Sequence, residues 1–415
     1  MKNKILLFSD HPLSSSGVGT QARWLINGLI ETGRYSFKCF GAAVKHNNYD
    51  IDIINDDFII KPIDGFGTRD LIRHAIATEQ PDCVLLFTDP RFFIHIFEME
   101  DEIHSVCPIA YNHLWDNPPW PEFNRVLYES CDLINCINKQ TFNMLKENMP
   151  THNVGYIPHA VPNELYFQLT QEQNRQNKIQ LLGQNRADHF IVLFVSRNAR
   201  RKRANDLLVS WRQFIDQLQI SEGHSKATLL MHTDPFDQEG PNLHRVIDQL
   251  KLNENVVFSN ERLDFQKMNV IYNLSDVLIN VSLNEGFGLS LLEAKMAAKP
   301  LIAVKTGGMI EQVFDDETGT EFGCALEPDV KSLVGNQMVP YIYEDYVSHK
   351  TVTDAIMKMY KLPQSERERI GKLAQINAQT KFNMKNTIND WDMSLTKLIN
   401  DWKNSDIKRW NVNTI

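Results

Sequence analysis

Asp276-Val277-Leu278-Ile279-Asn280-Val281 leads into Ser282-Leu283-Asn284-Glu285-Gly286-Phe287-Gly288 and then into Leu289-Ser290-Leu291-Leu292-Glu293-Ala294. The run 277–281 is short and apolar without strict alternation, the pattern of a strand covered on both faces in a parallel sheet. Two glycines follow, which let the backbone turn tightly and approach a ligand closely. Residues 289–298 are good helix formers, so the whole stretch reads as strand, glycine loop, helix. The free N–H groups and positive dipole end of such a helix suit a phosphate. Glu285 stands in the loop and Glu293 about two turns into the helix, so two carboxylates border one mouth.

The same pattern extends in both directions. Short apolar runs at 4–8, 83–87, 108–111, 133–137 and 154–157 alternate with helical patterns, and a second set follows at 190–195, 228–231, 256–258, 277–281 and 301–304. Strand–helix alternation repeated twice predicts an α/β chain of two doubly wound, Rossmann-like domains. Residues 166–188, rich in Gln, Asn and charge, read as the connection between a domain over 1–165 and another over 189–380. In the last segment, 381–415, Ile388, Trp391, Leu395, Leu398, Ile399 and Trp402 are spaced by three and four, an amphipathic helix expected to pack back on the first domain.

Composition narrows the function classes. The chain has 415 residues, 42% hydrophobic and 23% charged, which excludes wholesale disorder. Its net charge is −9, and its first 150 residues hold 13 basic against 20 acidic side chains, so broad electrostatic binding of nucleic acid or membrane is disfavoured. No run approaches the roughly 18 apolar residues of a membrane span, and the first apolar run is too short for a signal-peptide core. The six cysteines form no CxxC pair and sit mostly in apolar runs, as expected of buried thiols in a cytoplasmic protein. No His, Cys or Asp cluster has metal-ligand spacing, so neither a metal nor another cofactor is expected.

The E-x7-E spacing inside EGFGLSLLEA, with Lys299-Pro300-Leu301-Ile302-Ala303-Val304 and Thr306-Gly307-Gly308 behind it, resembles the donor-site signature of glycosyltransferase family 4. The resemblance implies the GT-B architecture, two Rossmann-like domains facing across a cleft, with an acceptor-side first domain and a nucleotide-sugar-binding second one. It implies retaining transfer from a UDP- or GDP-linked sugar. Arg197 and Lys202, in Ser196-Arg197-Asn198-Ala199-Arg200-Arg201-Lys202, match the family's arginine and lysine, which neutralise the departing diphosphate without a metal. The family has glycine after that lysine, where this chain has Arg203. Glu285 would hold hydroxyls of the transferred sugar, Glu293 the ribose, and Gly286, Phe287, Gly288 and Leu289 the phosphates and sugar. Gly17 and Gly19, in Ser14-Ser15-Ser16-Gly17-Val18-Gly19, resemble the first glycine-rich loop. His113 matches a histidine beside the reacting sugar, with Trp115 and Trp120 as an aromatic platform for the acceptor. His159, in Ile157-Pro158-His159-Ala160-Val161, departs from the family's usual asparagine.

The acceptor stays open at this level. Segments 232–243 and 332–346 are similar to those carried by tailed bacteriophages, some of which glycosylate hydroxymethylated bases in their DNA, in the host cytoplasm. Such a DNA would be held by Trp115 and Trp120 for stacking, with Arg200, Arg201 and Arg203 for its phosphates. The alternatives are a surface glycan or small-molecule acceptor and, in another class, a nucleotide-sugar-binding module without catalysis.

Overall fold

The computed structural model describes residues 2–46 and 48–405. The chain forms two compact units, one of residues 1–160, 335–342 and 384–415, the other of 161–334 and 343–383.

The first unit is built on an eight-stranded sheet of β1 (Asn3–Asp10), β2 (Tyr35–Ala42), β3 (Asp52–Asn55), β4 (Phe58–Pro62), β5 (Cys83–Phe87), β6 (Ile109–His113), β7 (Leu133–Cys136) and β8 (Val154–Tyr156). Their order is β3-β4-β2-β1-β5-β6-β7-β8, parallel except where β3 meets β4. Successive residues of β1 enter opposite cores: Ile5 and Leu7 pack with helix Gly17–Glu31, while Leu6 and Phe8 join Phe40, Tyr111 and Trp115. Burial on both faces is why β1 reads as a continuous apolar run. β2 escaped the sequence reading because Ser36, Lys38 and Gly41 interrupt its apolar residues, with Lys38 paired to Glu79.

The second unit carries β9 (Phe190–Val195), β10 (Ala227–His232), β11 (Val256–Ser259), β12 (Val277–Asn280), β13 (Leu301–Val304) and an edge strand at Gly323–Leu326. All are parallel, in the order β11-β10-β9-β12-β13-edge. The chain steps outward in one direction from β9 through β10 to β11 and in the other from β12 to the edge. The switch point between β9 and β12 is where an open α/β sheet binds its ligand, beyond the carboxyl ends of those strands.

The boundaries differ from the expected ones in two places. Residues 166–188, expected as the connection, group with the second unit, where helix Gln171–Leu182 starts on a Thr170–Gln173 capping box. The N–H groups of Phe167 and Leu169 bond the side chains of Asn269 and Asn273 at 3.0 and 2.9 Å. A polar composition reported the exposed face of this segment and concealed its backbone anchoring. Residues 335–342 group with the first unit rather than with the rest of 189–380. Val339 and Ile342 pack on its core, and the Tyr341 ring meets Phe123 edge-on at 5.0 Å.

Helix Met384–Lys403 belongs to the first unit, and its buried Ile388, Trp391, Leu395, Leu398 and Ile399 share a core with Leu25, Ile26 and Leu29. Gly28 makes this possible, since a Cβ there would stand 2.4 Å from Ile388 Cδ1. Asp392 accepts a 2.9 Å hydrogen bond from Tyr35 Oη and pairs with Arg34. The expected tail beyond residue 405 lies outside the described residues. Trp391 is 2% exposed, so Trp391→Ala is expected to cost about 3–5 kcal/mol in urea denaturation. A loss under about 1 kcal/mol would show that this helix is not an integral part of the unit's core.

Candidate active site

The site residues of the second unit gather at the carboxyl ends of β9 and β12. After β9 the chain makes a turn at Arg200–Lys202 and enters helix Ala204–Glu222; after β12 it forms the 284–288 loop. Separated by some eighty residues, these loops are stitched together. Leu283 N–H donates to Arg201 O at 2.8 Å, and Arg201 Nη1 donates to Asn284 O at 3.0 Å. Lys202 Nζ pairs with Glu285 Oε2, which Arg201 Nη1 also reaches at 3.1 Å. Lys202 is buried.

Gly288 heads helix Leu289–Met296 at φ +86°, the left-handed conformation that only glycine takes without cost. Behind the loop, Gly308 N–H donates to Glu285 O at 2.9 Å. A Cβ on Gly308 would lie 2.3 Å from Gly286 O and 2.5 Å from Phe287 Cα, which explains the glycine at 308; Gly307 is at φ +50°. Phe287 is an anchor: its buried ring packs edge-on against Phe382 at 5.7 Å. Leu289 and Ser290 occupy the half-buried first turn.

Glu293, on the helix that follows the loop, is engaged by two tyrosines. Its carboxylate accepts a 2.5 Å hydrogen bond from Tyr272 Oη and another from Tyr166. Burial pushes its pKa up to about 7, while the two hydroxyls pull it down.

Arg197 pairs with other acids than Lys202 does. Its guanidinium is bidentate on Asp237 (2.6 and 3.1 Å) and reaches Glu239 at 3.1 Å. These acids come from the unusual segment 232–243, whose charge content is the one signal that could have pointed to them. Arg197 is well exposed and Asp237 is held below the usual carboxylate range by that bond.

The other arginines of the cluster are engaged at home. Arg200 pairs with the buried Glu344, and Arg203 bonds Asp206 at 2.9 Å and Val347 O at 3.1 Å while lying over the Tyr346 ring. Arg203 sits at φ +55°, a left-handed conformation that is costly for a residue other than glycine.

In the first unit, Ser16 caps helix Gly17–Glu31 by accepting from Gly19 N–H at 2.9 Å. Gly19 is required there, since a Cβ would stand 2.3 Å from Ser14 Oγ; Gly17 is exposed at the first turn. His113 ends β6 fully buried, its Nε2 2.9 Å from Tyr128 Oη. Burial lowers its pKa to about 3, so the ring is neutral at pH 7. His159 is likewise buried and pushed down to about 3.

The aromatic platform meets a correction. Trp115 is 5% exposed, its N–H donated to Asn117 O at 2.8 Å and its ring edge-on to Phe123, so it offers no stacking face. Trp120 is half-buried, with its N–H on Glu122 and the Arg125 guanidinium 5.4 Å over its ring.

All six cysteines are free and buried. Among the described residues no helix is long and apolar enough to cross a membrane.

Two parallel sheets of this order define the GT-B class of fold. A sucrose-phosphate synthase from Thermosynechococcus elongatus matches with a TM-score of 0.76 at 16% identity, over 96% of this chain and 100% of that one. Anabaena Alr3699/HepE, solved in complex with UDP-glucose, matches with 0.68 at 16%, over 95% and 100%. In sequence, residues 176–334 match the family model of glycosyl transferases group 1. Human alpha-1,3/1,6-mannosyltransferase ALG2 is 37% identical over 148 residues, 34% of each chain. Trehalose synthase of Pyrococcus horikoshii is 41% identical over 54 residues, 13% of each chain. The matched stretches thus span about a third or less of these curated relatives.

Proposed function

We propose that the protein is a retaining, metal-independent glycosyltransferase that takes a sugar from a UDP- or GDP-linked donor and places it on an acceptor hydroxyl. The observation that carries this reading is the Lys202–Glu285 pair at the switch point of the second sheet, beside the helix headed by Gly288. Lys202 and the helix N–H groups stabilise the diphosphate as the bond from sugar C1 to phosphate oxygen breaks. Arg197 adds a third positive group once it exchanges Asp237 for phosphate. Glu285, held by Lys202 and Arg201, is the acceptor for sugar hydroxyls, and Glu293 for the ribose. The acceptor oxygen bonds to C1, and its proton goes to the departing phosphate oxygen. His113, neutral and engaged by Tyr128, is assigned no proton transfer.

For the acceptor we favour a glycan or small molecule over a base in DNA. Arg200, Arg201 and Arg203, which would meet DNA phosphates, are bound to Glu344, Glu285 and Asp206, and Trp115 is buried. A flipped base needs a free stacking surface to compensate its unstacking. Incubation with hydroxymethylcytosine DNA and a panel of nucleotide sugars, followed by mass spectrometry of nucleosides, is expected to show no added hexose; an added hexose overturns the choice.

The reaction itself is tested by calorimetry and hydrolysis with UDP-, GDP- and ADP-sugars. Binding with slow hydrolysis, unchanged in EDTA, is the expected result. Binding without any turnover would make the protein a nucleotide-sugar-binding module. A strict need for magnesium or manganese would remove the roles given to Lys202 and Arg197.

A further inference from the structure

Tyr166 and Tyr272 reach Glu293 from two different parts of the second unit. Tyr272 stands on helix Phe265–Leu274; Tyr166 comes from the chain just ahead of helix Gln171–Leu182. Both rings are buried, and they pack edge-on with centroids 5.6 Å apart. Tyr272 Oη lies 2.5 Å from Glu293 Oε2, and Tyr166 bonds the same carboxylate. A buried carboxylate needs hydrogen-bond partners, and here two phenols from separate segments supply them. A carboxylate accepts about four hydrogen bonds, so two hydroxyls leave about two acceptor positions open.

We propose that Tyr166 and Tyr272 are positioning residues that orient the Glu293 carboxylate, so that its remaining acceptor positions receive both hydroxyls of the donor's ribose. The inference rests on the reading of Glu293 as the ribose ligand. It goes further in naming what aims that ligand and in tying discrimination for a vicinal diol to two phenolic hydroxyls.

The chemistry is one-sided, which makes it testable. Burial and the neighbouring carboxylate raise both tyrosines above their ordinary range, so they stay protonated and act as donors. Of these three groups only Glu293 titrates near neutrality, and burial brings Lys295 down to about 7 and Lys299 to about 8 on the same stretch of chain. The charged groups of the adjoining elements, Glu311, Asp315 and Lys381, act on Lys295, which turns towards Phe322, Phe382 and Asn377. The tyrosine hydroxyls favour the ionised carboxylate, so removing one raises the Glu293 pKa. A protonated Glu293 has lost an acceptor position, so diol binding weakens as pH falls through about 7.

The experiment measures Kd by calorimetry for UDP and GDP and for their 2′,3′-dideoxy counterparts, from pH 5.5 to 9, in the full chain. Tyr272→Phe keeps the ring and removes the hydroxyl; Tyr166→Phe is the second variant, used also if the first unfolds. The wild-type chain is expected to prefer the ribonucleotide by roughly tenfold or more at pH 8, as for hydrogen bonds to a charged group. Each variant should lose most of that preference, hold the dideoxy affinity unchanged, and show its midpoint for ribonucleotide binding at higher pH. Equal weakening of both ligands, or an unmoved midpoint, assigns the tyrosines to packing alone and overturns the proposal. If the wild-type chain binds neither diphosphate, the donor-site reading falls and the proposal with it. Binding without preference for the ribonucleotide defeats the ribose assignment and leaves the diphosphate site standing.

Discussion

Lys202→Ala is expected to weaken UDP and GDP by roughly tenfold or more, because a charge-assisted bond to phosphate contributes roughly 1.5–3 kcal/mol. The structure adds a stability cost that an exposed lysine would not carry. Lys202 is 7% exposed and paired with Glu285, and its removal leaves that carboxylate to Arg201 alone. Breaking a buried pair outright costs about 3–5 kcal/mol; with Arg201 still 3.1 Å away, about 1–2 kcal/mol is expected. Calorimetry with each nucleotide and urea denaturation give the two numbers independently. Unchanged affinity would reduce the Lys202–Glu285 pair to a structural bond between two loops.

Gly308→Ala is expected to act as strongly from outside the ligand contacts. Its φ is ordinary, so backbone strain is not the issue; the new methyl would meet Gly286 O at 2.3 Å and Phe287 Cα at 2.5 Å. Those are backbone atoms and cannot swing aside, so the 285–288 loop must shift, with a stability loss of about 1–3 kcal/mol. Displacing a phosphate-binding loop by this amount is expected to reduce nucleotide affinity by an order of magnitude or more. Gly33→Ala provides the contrast, at φ +76° with open space around it. It should lower stability by about 1 kcal/mol and leave nucleotide affinity alone. Equal nucleotide affinity in the two variants would mean that the 307–308 turn does not set the loop.

Local chemistry made much of this legible in advance. The doubly covered strands announced themselves as apolar runs, because a parallel sheet with cores on both faces leaves no polar alternation. The strand–glycine–helix unit at 277–294 followed from residue type and order alone, since φ > 0 at Gly288 and a helix start after it are local demands. The amphipathic helix at Met384–Lys403 was equally plain, its spacing being set by the helical period. β2 was not, for its lysine pairs with Glu79 and its glycine broke the pattern.

What only the tertiary structure decided are the pairings between distant segments. Nothing in the spacing of Arg197, Lys202 and Glu285 says that Lys202 meets Glu285 while Arg197 turns to Asp237. The arginine-rich run looked like a surface for anions, and folding spent Arg200 on Glu344 and Arg203 on Asp206 and Val347. Trp115 looked like a platform and became core. The two tyrosines on Glu293 come from 127 and 21 positions upstream, with no shared motif. The physical reason is the same in each case. Sequence dictates backbone conformation and which face is apolar over a few turns, whereas the partner of a charge is chosen by whichever remote group the packed sheet brings within reach.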